Sequence, residues 1–300
     1  MVIVGDAISC TGVIKRFGAV VALDELDLEV PAATIVGYLG PNGSGKSTTI
    51  RILLDLARPD AGAIRVLGED PRLAGPGLRR RVGYLPGELR LDERCTVGET
   101  LDSWARVRGG VEPAFVGELC ERLQLDPGRP TKGLSTGNRR KVGLVGAFMG
   151  RPELLVLDEP TGGVDPLVQA TFVELAREAC DRGATIFLSS HVLSEVQRVA
   201  DHVIVLRAGR VVATGSVDEL RHRARQPFSA HFVGEPPMAE LRAAAGVAEV
   251  RWEGSEVVGV VQGSPDGLLA VLARHPVRHL LLPEPDLEDA FLQMYREEAP

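Results

Sequence analysis

The stretch "GPNGSGKST", residues Gly40–Thr48, decides the fold of this chain. It fits the pattern G-x-x-x-x-G-K-[ST], in which backbone N–H groups turn inward around phosphate oxygens. Gly43 and Gly45 permit backbone angles that a side chain would obstruct. The buried apolar run "TIVGYLG" leads into it, and the helically spaced "STTIRILLDLARPDAG" overlaps its end and continues beyond it. A strand, a glycine-rich loop and a helix in this order predict a phosphate-binding loop.

Each residue of this loop is a candidate for binding a nucleotide. We expect Lys46 to reach the β- and γ-phosphates and the Ser47 hydroxyl to hold Mg²⁺. The helix that begins at Lys46 points its positive end at the same phosphates. The expected ligands are therefore ATP and Mg²⁺. The candidate nucleotide-binding residues of the loop are Gly40, Pro41, Asn42, Gly43, Ser44, Gly45, Lys46, Ser47 and Thr48.

A pair of acidic residues follows a second buried strand. The run "LLVLDEP" places Asp158 and Glu159 at the end of this strand. Asp158 could bind Mg²⁺ through water, and Glu159 could accept a proton from an attacking water. An acidic pair that only forms a turn at a strand end remains an alternative.

The composition excludes several classes of protein. The net charge is −7 and no run of Lys and Arg interrupts it, which argues against a nucleic-acid partner. The four cysteines lie far apart without C-x-x-C spacing, so we expect reduced thiols. The N-terminus does not read as a signal peptide, and no apolar run approaches the roughly 18 residues of a membrane span. We therefore expect a soluble chain whose membrane role would require a partner.

The order of predicted elements indicates an α/β protein of two domains. Strands alternate with helices after the loop, which predicts a largely parallel sheet covered on both faces. Near residue 222 the pattern changes to strand, helix, strand, strand, helix, strand, helix, similar to a small ferredoxin-like unit. The predicted domains are residues 1–221, with a helical subdomain at about 88–155, and an accessory α/β domain at 222–300.

Further motifs lie in a fixed order around the acidic strand. "LSTGN" (Leu134–Asn138) precedes it, "GGVD" (Gly162–Asp165) follows it, and His191 comes after a later strand. Upstream of the phosphate loop, "KRFG" contains Phe17. With the phosphate loop, these motifs resemble the ATP-binding-cassette (ABC) ATPase family, although the family signature L-S-G-G-Q carries Thr136 and Asn138 here.

The resemblance implies a P-loop NTPase fold and a head-to-tail dimer with a second ATPase subunit. ATP would lie between the phosphate loop of one chain and Ser135 and Gly137 of the other. Phe17 would stack on adenine, and Asp165 would connect the two sites. The residues implied in hydrolysis are Glu159 as the base, with His191 and Lys46 at the γ-phosphate.

One position departs from the family pattern. The family has a glutamine after a strand where this chain reads "VGYLPGEL", with Gly87 aligned to the glutamine and Glu88 next to it. We expect Glu88 to substitute as an oxygen ligand, because Mg²⁺ favours carboxylates. The alternative is that this contact is absent.

The resemblance also implies a cellular role. A single cassette with a short C-terminal α/β extension resembles the ATPase subunits of bacterial drug, antibiotic or lipid exporters, which act at the cytoplasmic face of the membrane through a separate transmembrane permease. The segment "PDLEDAFLQMYRE" resembles the closing helix of that group. The alternatives are an importer ATPase and a non-transport ABC ATPase, although the chain lacks the second cassette or long coiled coil usual in the latter.

Overall fold

A computed structural model describes residues 5–219 and 225–283 of the chain. The chain divides into two compact units, Met1–Thr214 and Gly215–Pro300. This division falls a few residues before the predicted boundary at 221/222, which itself lies among residues that the structure does not describe.

The first unit contains the elements up to the ninth strand, and the division between the units falls near the end of that strand. In chain order they are β1 (Asp6–Phe17), β2 (Val20–Pro31), β3 (Ile35–Leu39), α1 (Lys46–Leu53), β4 (Ala61–Val66), α2 (Gly75–Arg81), β5 (Val82–Leu85), α3 (Val97–Arg108), α4 (Pro113–Arg122), α5 (Thr136–Phe148), β6 (Leu154–Asp158), α6 (Pro166–Asp181), β7 (Thr185–Ser190), α7 (Leu193–Val199), β8 (His202–Arg207) and β9 (Arg210–Ser216).

A six-stranded sheet in the order β5-β6-β7-β3-β8-β9 forms the centre of the first unit. The pairs from β5 to β8 are parallel, as the sequence predicts. Strands β3, β6 and β7 are buried along their whole length, as expected for strands covered on both faces. Because parallel strands end at the same sheet edge, the residues after β3, β6 and β7 come together there.

A second sheet in the order β2-β1-β4 is antiparallel and shares a core with the first. In the sequence, apolar and polar residues alternate at 7–12 and 19–30, a pattern that predicts strands, and these stretches overlap β1 and β2. Strand β4 and helix α2 are not apparent from the sequence. Helices α3, α4 and α5 lie within the predicted helical subdomain.

The second unit contains β10 (Arg225–Phe232), α8 (Met238–Ala243), β11 (Val247–Glu253), β12 (Glu256–Gln262), α9 (Asp266–Leu272) and β13 (Val277–Leu281). Its antiparallel sheet has the order β11-β12-β10-β13 and its own hydrophobic core. The β-α-β-β-α-β order is that of a ferredoxin-like unit, as predicted. The predicted closing helix near Asp286 lies outside the described residues. Within the described part of the chain, no helix has the length and apolarity to cross a membrane.

Candidate active site

The loop Gly40–Thr48 connects the end of β3 to α1 and wraps closely against its neighbours. Gly43 and Gly45 have φ angles of 81° and 113°, in the left-handed region that favours glycine. A Cβ atom on Gly40 would lie 2.4 Å from the Leu206 carbonyl oxygen and 2.6 Å from Ser44 Oγ. The glycines of this loop therefore serve its backbone path. Ser44 Oγ is buried and has no hydrogen-bond partner among the residues that the structure describes, so the loop offers a hydroxyl to a ligand oxygen.

The Lys46 ammonium lies over this loop. Its Nζ donates to the carbonyl oxygens of Gly40 and Pro41, at 2.6 and 3.2 Å. Burial lowers the pKa of Lys46, and the nearby Glu159 and Asp158 carboxylates act in the opposite direction. The loop thus holds a desolvated cation beside the ends of β3 and β6, where a phosphate group would provide a stronger partner than a carbonyl.

Asp158 occupies the end of β6 opposite the start of α1. Ser47 Oγ donates to Asp158 Oδ2 at 3.1 Å, and the buried Ser189 at the end of β7 donates to Asp158 Oδ1. A hydroxyl and a carboxylate in contact form an all-oxygen donor set of the kind that Mg²⁺ prefers. The predicted metal-binding residues Ser47 and Asp158 are therefore brought together and fit the expected ion.

Glu159 and His191 form a hydrogen-bonded pair beside Asp158. Glu159 Oε1 lies 2.8 Å from His191 Nδ1. The Glu159 backbone has a φ angle of 52°, which is uncommon for a residue with a side chain. Its N–H donates to the Ser189 carbonyl at 3.1 Å and to Ser189 Oγ at 3.2 Å. The pair places a carboxylate oriented by an imidazole at the sheet edge that carries the phosphate loop.

Glu88 does not join this group. Its carboxylate accepts hydrogen bonds from Arg90 at 3.1 and 3.3 Å, and its side chain is 78% exposed. Gly87 instead faces Asp158, because a Cβ atom there would lie 2.9 Å from Asp158 Oδ2. The expected Glu88 ligand is therefore not placed with Ser47 and Asp158, and the position of the family glutamine presents only backbone to the carboxylate.

The signature residues lie at the beginning of α5. Ser135 is the N-cap of this helix, accepting from the Asn138 N–H at 3.2 Å, and it is exposed. Gly137 lies close to the segment between β6 and α6, since a Cβ atom on Gly137 would be 2.9 Å from the Gly163 carbonyl oxygen.

Asp165 caps α6 through hydrogen bonds from the Leu167 and Val168 N–H groups, both at 3.1 Å. Among the described residues, no hydrogen bond joins Ser135 or Asp165 to the phosphate loop.

Phe17 lies at the end of β1 with 52% of its surface exposed. The Lys15 ammonium is 5.2 Å from its ring centroid, and Lys15 is also paired with Asp60 at 3.1 Å. An aromatic ring left uncovered in this way is available for stacking.

Two residues of the site are not apparent from the sequence. Ser189 contacts both Asp158 and Glu159, and Arg140 donates to backbone carbonyls around them. Ser189 stands two positions before His191, which is the one local signal that could have found it. Arg140 lies on α5, far in sequence from the strand end it contacts, so only the fold reveals its role.

Comparison with known proteins places these features in one family. The profile described as "ABC transporter" matches residues 23–162. The daunorubicin resistance ATP-binding protein DrrA3 of Streptomyces coeruleorubidus is 40% identical, over 72% of this chain and 70% of its own. The Nod factor export ATP-binding protein I of Burkholderia orbicola is 34% identical, over 93% of this chain and 94% of its own.

Solved structures agree with this result. The solved structure of an ATP-binding subunit of an ABC transporter superposes with a TM-score of 0.67 at 31% identity. The match covers 72% of this chain and 92% of the other. A dimeric ATP-binding cassette in a post-hydrolysis state with ADP and Pi has a TM-score of 0.63 at 20% identity, covering 70% and 98%, and shows the common fold.

The fold and the site define an α/β ATPase of the phosphate-loop class. The parallel sheet carries the loop, the acidic strand end and the carboxylate–histidine pair at one edge. The chain belongs to the ABC transporter family, as one of its ATP-binding proteins.

Proposed function

We propose that this chain is the ATPase subunit of an exporter, which moves a substrate of the drug, antibiotic or lipid class through a separate transmembrane permease. The main support is the extent of similarity to the Nod factor export protein, which covers 93% of this chain and so reaches into the second unit. The relative named for daunorubicin resistance points in the same direction. The chain would act at the cytoplasmic face of the membrane, attached through its permease.

The nucleotide site that supports this role would use ATP with Mg²⁺. Ser47 and Asp158 would hold the ion, because their oxygens already lie 3.1 Å apart. Mg²⁺, when bound, supplies positive charge to the phosphate oxygens. Lys46 would exchange its two loop carbonyls for phosphate oxygens, and Phe17 would stack on the adenine ring.

The chemistry proposed for this site is proton transfer from water. Glu159 would accept the proton as a water oxygen attacks the terminal phosphorus and the bond to the leaving phosphate oxygen breaks. His191 would hold the Glu159 carboxylate in place through their 2.8 Å hydrogen bond. Lys46 would stabilise charge on the phosphate oxygens.

A second copy of the ATPase would complete the site. Ser135 is the N-cap of α5 and Gly137 lies in its first turn, so they would offer N–H donors and the helix dipole to an anion. Ser135 is exposed, and no hydrogen bond of the described residues ties it to the loop of its own chain. A head-to-tail dimer would bring these donors to the γ-phosphate on the partner, with Asp165 connecting the two sites.

The test uses Glu159→Gln, which we expect to bind ATP without hydrolysing it. The tagged variant is expressed in its host and isolated from solubilised membranes with ATP and Mg²⁺. Lys46→Ala, which should lose ATP binding, is the matched control. An exporter subunit should retain a polytopic membrane protein in the Glu159→Gln sample.

Two outcomes would contradict the proposal. Recovery of the variant only from the soluble fraction, alone or with ribosomes, would favour the non-transport class of ABC ATPase. Association with a permease and an extracellular binding protein would favour an importer. In either case, loss of hydrolysis with retained ATP binding would leave the ATPase assignment in place.

A further inference from the structure

Arg140 connects α5, which begins at the signature residues and is called the signature helix below, to the end of β6 in the same chain. Its side chain is buried on α5 and donates through Nη1 to the Pro86 carbonyl at 2.9 Å and to the Asp158 carbonyl at 3.3 Å. Nη2 donates to the Gly87 carbonyl at 3.0 Å. Burial lowers the pKa of Arg140, while the Glu159 and Asp158 carboxylates raise it. One guanidinium thus joins α5, the segment at residues 86–87 and the end of β6.

The Asp158 contact bears directly on Glu159. The Asp158 carbonyl and the Glu159 N–H belong to the same peptide group, and each end of that group has a partner. Arg140 binds the carbonyl end, and Ser189 binds the N–H end. Glu159 has a left-handed backbone, which persists only where the surroundings hold it. The direction of the Glu159 side chain therefore depends on the orientation of this peptide.

The Gly87 contact explains how the segment at residues 86–87 is held in place although it has no glutamine side chain. Gly87 has no side chain to bond, and a Cβ atom there would approach Asp158 Oδ2. Arg140 instead binds the backbone on both sides of the Pro86–Gly87 peptide bond, through the two carbonyl oxygens. The planar guanidinium can reach several acceptors at once, which a lysine ammonium at the same position could not match.

We infer that Arg140 is a positioning residue for ATP hydrolysis, which fixes the Glu159 carboxylate and ties its orientation to the signature helix. This inference rests on the proposed role of Glu159 as the base. Arg140 itself contacts backbone, so its effect should fall on turnover and leave ATP binding at the phosphate loop largely intact.

The test compares Arg140→Gln and Arg140→Lys with Arg139→Gln in the full-length protein. Arg139 is the adjacent cation on α5, and its side chain has no hydrogen bond or ion pair among the described residues, so its variant controls for loss of charge. We expect Arg140→Gln to lower kcat at least tenfold with the KM for ATP within twofold. Arg140→Lys should be intermediate, and Arg139→Gln should stay within twofold of the wild-type kcat.

Thermal melting, together with calorimetry of Mg–ATP binding, distinguishes a positioning role for Arg140 from a purely structural one. Unchanged kcat in Arg140→Gln would overturn the inference. A parallel fall of kcat, ATP affinity and Tm in both Arg140 variants, including failure to fold, would assign a purely structural role and overturn it as well. Glu159→Gln is measured beside them, because turnover retained there would remove the base assignment itself.

Discussion

The close approach of Gly87 to Asp158 leads to a prediction at the scale of single residues. A Cβ atom at position 87 would lie 2.9 Å from Asp158 Oδ2, the oxygen that accepts from Ser47. We expect Gly87→Ala to displace that carboxylate and to lower Mg²⁺-dependent ATPase activity by about tenfold, on the order of 1.4 kcal/mol in the barrier. The measurement is kcat as a function of Mg²⁺ concentration.

Gly117→Ala provides the control for this change. Gly117 lies within α4, and a Cβ atom there would meet no side chain or neighbouring segment within 4 Å in the described part of the chain. This substitution should leave ATPase activity unchanged and stabilise the protein by about 0.5–1 kcal/mol, because alanine favours the helix. Full activity in Gly87→Ala would mean that the segment at residues 86–87 can move away from Asp158.

The exposed ring of Phe17 allows a second prediction at this scale. If the ring stacks on adenine, Phe17→Ala should weaken ATP binding severalfold, corresponding to about 1 kcal/mol. Leu73→Ala is a suitable control, since Leu73 is also apolar and highly exposed. Calorimetry with ATP measures both variants, and equal affinities would remove Phe17 from the site.

The part of the site that lies in local motifs is predictable from the sequence. Lys46, Ser47 and Asp158 each follow a recognisable strand or loop pattern, and the structure brings them together. Their catalytic roles remain predictions. Its carboxylate and its position next to the aligned family glutamine predict Glu88 beside the metal, but its side chain instead pairs with the nearby Arg90. Arg140 cannot be identified from the sequence, because only the tertiary fold brings it to the backbone groups that it contacts.

The cap of α6 provides a prediction at the scale of an element. Asp165 Oδ1 accepts from two N–H groups in the first turn, so Asp165→Ala should lower the free energy of unfolding by about 1 kcal/mol. Asp165→Asn keeps a side-chain carbonyl and should retain most of this stability. Urea denaturation measures both variants.

The same pair of variants tests the proposed link between the two sites. If Asp165 also connects them, Asp165→Asn should lose ATPase activity while staying folded and stable. A stable and fully active Asp165→Asn would restrict Asp165 to its capping role. An Asp165→Ala variant as stable as the wild type would contradict the cap.

The elements that are not apparent from the sequence have weak local signals. Helix α2 reads "GPGLRRR", with two glycines and a proline, and Leu78 is its one buried residue. Strand β4 contains Gly62 and is exposed along most of its length. Their conformations come from pairing with β1 and from packing around Leu78, which are tertiary effects. The buried strands β3, β6 and β7 are predictable because burial on both faces requires an unbroken apolar run.

At the scale of the whole molecule, the two units have separate hydrophobic cores. The first core includes Tyr38 and Phe187, and the second includes Phe228 and Leu241. All of the residues proposed to bind the nucleotide belong to the first unit. We therefore expect a protein lacking residues 222–300 to bind ATP with an affinity within about threefold of the full-length chain, less than 1 kcal/mol.

Calorimetry with Mg–ATP checks this expectation, and export activity or dimerisation of the truncated protein reports on the second unit. Loss of ATP binding in a folded, truncated protein would contradict the proposed division at 221/222. A truncated protein that still dimerises and supports transport would show that the second unit serves another purpose.

Because Glu159 has a left-handed backbone, selection for stability and selection for ATPase activity favour different residues at this position. Glycine would adopt this conformation without strain, whereas a residue with a side chain costs about 1–2 kcal/mol there. Laboratory evolution for thermal stability alone should therefore select Glu159→Gly. This variant should melt at a higher temperature and no longer hydrolyse ATP. Selection for turnover would restore the acid and, with it, the lower melting temperature.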